Sequence, residues 1–167
     1  MSNPAVRSAQ AILEARARAL AKPVATNESA DVANSMEALV CFIGTERYAV
    51  ALHSITAIAR ITSITPLPQT VPPVFGVTAW RGRPITLLSL EANVPALDDS
   101  SRILVLGAGR RAAFALLVTA VDETAVIDRA ALVPVSSARA ALSAGVTADG
   151  ILLLDAEALI NSARAES

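Results

Sequence analysis

The chain has 167 residues, of which 53% are hydrophobic and 17% are charged, so it is long enough for one ordinary domain and too apolar to be disordered. Lysine and arginine total 14 against 15 aspartate and glutamate residues, and the net charge of −1 lacks the basic surplus that a nucleic-acid-binding protein needs. The single cysteine excludes an internal disulfide and a multi-cysteine metal site, and the short apolar runs predict no membrane insertion.

The N-terminal region predicts an appendage to a larger domain. The opening Met-Ser-Asn-Pro lacks the charged-then-apolar layout of a signal peptide, so we expect a cytoplasmic protein. Residues 3–22 predict a helix that Asn3 can cap, and the polar residues 26–31 predict a linker. We therefore expect an N-terminal helix and linker over residues 1–37 and a main domain over residues 38–167.

The main domain opens with a predicted hairpin and a short helix. Residues 39–43 and 48–50 are apolar and flank a Gly-Thr-Glu-Arg turn, which is a hairpin signal. The helical spacing of Leu52, Ile55 and Ile58 then predicts a short internal helix.

Most later elements are predicted strands. Residues 74–80 and 85–90 flank Arg-Gly-Arg and predict a second hairpin. Asp155 is expected to cap a C-terminal helix that ends near Asn161. Further extended or strand segments are predicted over residues 61–67, 103–106, 112–119, 123–127, 132–135 and 151–154. Many short, closely spaced strands predict a mainly β protein built from small barrels or as a sandwich.

One motif suggests a different function. Residues 107–112 are Gly-Ala-Gly-Arg-Arg-Ala, so Gly107, Gly109 and Ala112 fit the dinucleotide fingerprint G-x-G-x-x-A, and Asp128 follows at a suitable distance. The motif lies late in the chain and no βαβ pattern precedes it. A hairpin turn is the better interpretation, and a dinucleotide-binding enzyme remains the remote alternative.

The other reactive side chains predict no catalytic or metal site. His53 is the only histidine, and Cys41 lies in an apolar strand that favours an inert thiol. The adjacent carboxylates at residues 98–99 and 122–123 would point apart on a strand, so they do not suggest an acid–base pair. We expect neither enzymatic activity nor a bound cofactor.

The segment around Trp80, Arg81 and Gly82 is the best candidate for a contact surface. It places the only tryptophan beside an arginine at a predicted turn, and both residue types are enriched at interface hot spots. Composition alone is equally compatible with a second interpretation, in which Trp80 lies in the hydrophobic core and the arginines are ordinary turn charges.

The order of these segments resembles the CheW family of adaptor proteins, which couple chemoreceptors to a histidine kinase in bacterial chemotaxis arrays. The resemblance begins with the apolar strand, turn and Tyr-Ala-Val of residues 39–50 and continues with Ile-Thr-Pro-Leu-Pro at residues 64–68. The family signature Gly-Val-x-Asn-Leu-Arg-Gly is matched by Gly-Val-Thr-Ala-Trp-Arg-Gly at residues 76–82. The closing strand and helix are matched over residues 150–161.

This resemblance implies a fold and a function. The fold is two small five-stranded SH3-like barrels sharing a core, with a short internal helix, a C-terminal helix and the added N-terminal helix. The function is a non-catalytic scaffold that binds the cytoplasmic tip of a chemoreceptor and the regulatory domain of a CheA-type histidine kinase, at membrane-associated receptor arrays. The expected receptor-binding residues are Ile55, Gly76 and Arg81, together with the neighbouring Trp80 and Gly82.

Several residues depart from the family pattern. Ala79 and Trp80 replace the signature asparagine and leucine. Thr86 and Ser89 replace a proline and an aspartate of the next strand, and Ala57 replaces an acidic residue. These departures keep a second hypothesis open, in which the chain is an inhibitory or non-coupling module of a chemosensory pathway.

Overall fold

The structure is a computed structural model that describes residues 33–93, 96–108, 111–137 and 139–165. The predicted N-terminal helix over residues 3–22 and its linker lie outside these residues. No helix in the described part of the chain is long and apolar enough to cross a membrane.

Eleven strands and one α-helix form within the described residues. The strands are β1 (Ser35–Ile43), β2 (Glu46–Ala51), β3 (Ile55–Arg60), β4 (Thr65–Pro66), β5 (Val74–Trp80), β6 (Arg83–Leu88), β7 (Arg102–Ala108), β8 (Arg111–Val118), β9 (Ala120–Asp128), β10 (Ser143–Val146) and β11 (Leu152–Leu154). The helix, α1, is Ala156–Ala165, and short 3-10 turns occur at Leu52–Ser54, Arg129–Ala131 and Ala140–Leu142.

The strands form two sheets. The first sheet has the order β10-β11-β2-β1-β9, and the second has the order β3-β7-β8-β6-β5-β4. Both are mixed, because β11 pairs with β2 in parallel and β6 pairs with β8 in parallel, while the other neighbours are antiparallel. The predicted mainly β fold with two small β units is thereby confirmed, and the two-residue β4 gives the second sheet a sixth strand.

Each sheet contributes to two hydrophobic cores. Successive side chains of a strand point to opposite faces, so a strand buried on both faces is apolar throughout. One face of the first sheet forms the first core, Ala38, Val40, Ala49, Ile127, Ile151 and Leu153. One face of the second sheet forms the second core, Ile85, Leu87, Ile103, Val105, Ala115 and Leu117. The opposite faces meet in a shared core that includes Leu39, Cys41, Val50, Leu88, Leu104, Leu106, Leu116 and, from α1, Leu159.

Two local predictions need correction. The internal helix is only the 3-10 turn Leu52–Ser54, and Ile55 and Ile58 lie on β3, where they pair with β7. The alternation of half-buried and exposed residues along β3 shows that tertiary pairing overrode the helical spacing. The strand predicted over residues 132–135 is also wrong: Val133 makes a single bridge to Val146, and Pro134 has no N–H to extend the pairing.

The hairpins and the C-terminal cap agree with the sequence. β5 and β6 form the predicted antiparallel pair, as do β7 and β8. The Asp155 carboxylate accepts a hydrogen bond of 3.0 Å from the backbone N–H of Ala158, which satisfies a free donor at the start of α1.

Candidate interaction surface

The tip of the β5–β6 hairpin is a two-residue turn. Trp80 pairs with Arg83, so Arg81 and Gly82 alone connect the strands. Their φ angles are 48° and 73°, and a two-residue hairpin with positive φ at both positions is the turn that matches the twist of the flanking strands. Gly82 suits this conformation, whereas the first position usually holds asparagine, aspartate or glycine. Arginine is therefore an unusual choice at residue 81.

Trp80 and Arg81 contact each other directly. Trp80 is half-buried and packs against the second core, while Arg81 is exposed. The Arg81 guanidinium carbon lies 4.7 Å from the centroid of the Trp80 ring, within the range of a cation–π interaction. The tryptophan therefore packs on the core, as one of the two interpretations expected, and also contacts the turn arginine, while its role in a contact surface stays a prediction.

The charges at this tip form no ion pair with any residue that the structure describes. Arg81 and Arg83 are exposed, and neither takes part in the ion pairs found among the described residues. Those pairs join Arg47 to Asp122 and Glu123, and Arg139 to Glu46. The hairpin tip consequently presents two guanidinium groups to solvent.

Gly76 has a structural role that the sequence did not reveal. It is buried in β5 and is paired with Leu87 on one side and with Pro66 on the other. A Cβ at this position would lie 2.4 Å from the backbone oxygen of Thr65, closer than real Cβ atoms come. Glycine is therefore required for β4 to lie against β5. The predicted receptor-binding role of Gly76 stays a prediction.

Ile55 lies on a different strand from the other candidate residues. It begins β3, is half-buried and packs against the shared core. In the order of the second sheet, β3 and β5 are separated by β7, β8 and β6. Ile55 and Gly76 nevertheless lie at nearly the same level across the sheet. The strand pairs that connect them are Ile55 with Leu106, Leu106 with Phe114, Ala115 with Leu87, and Leu87 with Gly76.

The departures from the family pattern differ in exposure. Ala79 is exposed beside the turn, whereas Thr86 is half-buried and pairs with Val77. Ser89 is buried, and its hydroxyl donates a hydrogen bond of 3.2 Å to the backbone oxygen of Glu91. Ala57 is half-buried and packs against the second core. Ala79 and Trp80 are thus the departures that lie next to Arg81, and Ala79 is the exposed one of the two.

The dinucleotide motif forms a hairpin. Gly107 pairs with Ala112 and Ala108 pairs with Arg111 in the antiparallel β7–β8 ladder. The fingerprint requires a helix after the glycine turn, so that the helix N-terminus can meet a pyrophosphate. Here the motif runs directly into β8, which confirms the hairpin interpretation for the described residues.

The remaining reactive side chains lie apart from the tip. His53 is exposed in the 3-10 turn before β3. Cys41 is buried, and burial raises the pKa of its thiol to about 12. Asp98 accepts hydrogen bonds from Ser100 and Ser101, which lower the pKa of its carboxyl. No cluster of three or more potential metal ligands occurs in the described segments.

A polar cluster elsewhere escaped sequence analysis. The Tyr48 hydroxyl donates a hydrogen bond of 2.6 Å to the Glu46 carboxylate, and Arg139 donates to both residues. These contacts lower the pKa of Glu46, with the Tyr48 bond the largest cause and Arg139 the next. Burial and the Glu46 contact raise the pKa of Tyr48. The cluster connects the segment before β10 to β2. Its residues are far apart in the chain, so no local sequence pattern predicts their contact.

Comparison with known proteins identifies the family. The family model for the CheW-like domain matches residues 37–164. The chain is similar in structure to the crystal structure of the scaffolding protein TtCheW from Thermoanaerobacter tengcongensis, with a TM-score of 0.59 and 23% sequence identity over 72% of this chain and 84% of that one. A search of curated proteins gives no match. With a family model covering most of its length, the chain belongs to the CheW-like domain family.

Proposed function

We propose that this protein is a non-catalytic adaptor that couples chemoreceptors, the methyl-accepting chemotaxis proteins, to a CheA-type histidine kinase. The observation that carries the proposal is the CheW-like match over residues 37–164, which spans nearly all the described strands. The adaptor acts in the cytoplasm and is recruited to membrane-associated receptor arrays. It uses neither a cofactor nor a metal ion.

The receptor-binding surface in this proposal is centred on the hairpin tip. Arg81 makes the polar contact, because it is exposed and has no acidic partner within the described part of the chain. Gly82 allows the turn, and Gly76 holds the neighbouring backbone in place. Trp80 and Ile55 complete the surface with half-buried apolar groups.

The kinase contact in this proposal uses a different surface of the adaptor from the receptor contact. The family resemblance implies that one barrel of the adaptor stacks on a barrel of the kinase regulatory domain. An adaptor must bind both partners at once, so the kinase surface has to lie away from Arg81. Substitution of Arg81 should therefore leave kinase binding unchanged.

Binding measurements with separate partners test the proposal. Calorimetric titration would use the cytoplasmic signalling fragment of a chemoreceptor and the regulatory domain of a CheA-type kinase from the same genome. Arg81→Ala should weaken receptor binding by roughly tenfold or more, since a hydrogen bond to a charged group contributes about 1.5–3 kcal/mol. The matched control is Arg164→Ala, which removes an exposed arginine from α1 and should change neither affinity. Absence of binding to both partners at tens of micromolar would contradict the proposal.

An inhibitory or non-coupling module is the second candidate. It is favoured by Ala79, which is exposed beside the turn where the family has asparagine. Kinase activity in the presence of the receptor fragment separates the two candidates. Stimulation on addition of the protein supports coupling, and inhibition supports the second candidate.

A further inference from the structure

The second sheet has an unusual distribution of charge. Its six strands contain four arginines, Arg60, Arg83, Arg102 and Arg111, and no acidic residue. The strands of the first sheet contain one arginine, Arg47, and five acidic residues, Glu37, Glu46, Asp122, Glu123 and Asp128. The net charge of the chain is only −1, but its second sheet is basic and its first sheet is acidic.

The hairpin tip is one basic part of this sheet, and Arg60 and Arg102, which pair across β3 and β7, form another. Across residues 61–90 the only charged side chains are Arg81 and Arg83. Both are exposed and neither has an ion-pair partner within the described part of the chain. A surface of this charge attracts a partner that carries carboxylates, through both steering and direct contact.

Arg81 adopts a backbone conformation that L-residues with long side chains rarely take. A non-glycine residue in the left-handed region is strained, and asparagine or glycine would avoid most of this strain. Arginine at this position therefore carries local backbone strain, which is a common property of residues at functional sites.

The Arg81 side chain lies over the Trp80 ring. The guanidinium lies over the indole ring at 4.7 Å, and the ring itself is fixed by packing on the second core. A guanidinium stacked by its face still has its N–H groups free at its edge, in the geometry that binds a carboxylate with two hydrogen bonds. Fixing a long side chain in advance also reduces the entropy lost on binding.

We infer that Trp80 is a positioning residue that holds Arg81 ready for a carboxylate on the receptor, and that the surface formed by Trp80, Arg81 and Arg83 selects an acidic protein face. This inference rests on the proposed function, because it specifies the chemistry of the receptor contact. It goes beyond that function by giving a role to the tryptophan that replaces the leucine of the family signature.

The stack can be tested in the free protein. Ring currents of Trp80 should shift the NMR signals of the Arg81 side-chain protons upfield, and Trp80→Leu should remove the shift while keeping an apolar side chain on the second core. Trp80→Phe should retain part of it. Unshifted Arg81 signals in the folded wild-type protein would overturn the inference without any reference to a partner.

The acidic partner is tested by titration with two probes, the receptor signalling fragment and a helical peptide of alanine and glutamate. Trp80 is the only tryptophan, so its fluorescence reports binding at the tip. The Trp80→Leu variant lacks this fluorescence, so its binding is measured by calorimetry. We expect it to bind the receptor fragment about two- to fivefold more weakly than the wild type, which corresponds to a cation–π energy of roughly 0.5–1 kcal/mol. Trp80→Phe should restore most of the affinity. The affinity of the wild type for the receptor fragment should fall as the salt concentration rises. Arg81→Glu should abolish binding of the receptor fragment.

The outcomes separate the inference from the proposed function. Equal receptor binding by wild type and Trp80→Leu, with both folded, overturns the inference and leaves the adaptor function intact. Binding of the acidic peptide in an Arg81-dependent manner, without receptor binding, supports only the preference of the tip for an acidic face and overturns both the receptor contact in the inference and the adaptor function. Binding of neither probe by the wild type overturns both.

Discussion

Replacement of Gly76 by alanine tests how the sheet positions the candidate surface. The new Cβ would lie 2.4 Å from the backbone oxygen of Thr65 and 3.1 Å from the Cα of Pro66, so the clash is with backbone and cannot be relieved by a side-chain rotation. Overpacking of this kind costs about 1–3 kcal/mol. For a domain of this size, each kcal/mol lowers the melting temperature by on the order of 3–5 °C.

Urea denaturation followed by circular dichroism would measure this loss. The control is Gly82→Ala, which meets no atom within 4 Å but keeps a φ of 73°, so its cost comes only from backbone strain of about 1 kcal/mol. We expect Gly76→Ala to be the more destabilising of the two and to weaken receptor binding by displacing β4. A Gly76→Ala protein as stable as the wild type would refute the close-packing argument.

Three further predictions concern the rest of the domain. Leu104→Ala should destabilise the fold by about 2–5 kcal/mol in urea denaturation, because Leu104 is fully buried in the shared core. The Cys41 thiol should react with Ellman's reagent at pH 8 only when the protein unfolds, since it is buried and its pKa is raised to about 12; rapid reaction of the native protein would contradict this. Contacts with Tyr48 and Arg139 lower the pKa of Glu46 in the folded protein. These contacts therefore stabilise the folded state above the ordinary carboxyl pKa of 4.5, and this stabilisation is lost as the pH falls through the lowered pKa of Glu46. Arg139→Ala should therefore lower the urea midpoint modestly at pH 7 and make little difference near pH 2, and an equal effect at both pH values would count against the ion-pair cluster.

Apolar runs on either side of turn residues made most strands predictable from the sequence. Residues 74–80 and 85–90 flank a short turn, and the observed β5–β6 hairpin agrees with this pattern to within two residues. The β7–β8 hairpin was equally clear once the glycine motif was interpreted as a turn. Local turn chemistry and apolar runs are sufficient in these cases, because each hairpin joins neighbours in the chain.

Elements that depend on distant partners were predicted less well. The spacing of Leu52, Ile55 and Ile58 favours a helix, but pairing with β7 makes residues 55–60 a strand. The strand β10, Ser143–Val146, was missed because Ser-Ala-Gly-Val has no apolar alternation and gains its conformation from β11. Short segments of this kind are determined by tertiary context.

The candidate surface was only partly predictable. The family resemblance led to Arg81 and Gly82, and the turn geometry explains why they lie together. The stacking of Arg81 on Trp80 and the close approach of β4 to Gly76 depend on distances that no sequence pattern contains. The unequal charge of the two sheets could have been found from the sequence, but only after the strands had been assigned to their sheets.

Coupling of receptor to kinase is the central claim, and one reconstitution tests it most directly. Autophosphorylation of a CheA-type kinase would be measured with a receptor signalling fragment, with and without this protein, using wild type and Arg81→Glu. We predict that the wild type makes kinase activity dependent on the receptor and that Arg81→Glu binds the kinase but loses this dependence. Kinase activity that is unaffected by the wild-type protein, or equally stimulated by Arg81→Glu, would contradict the account.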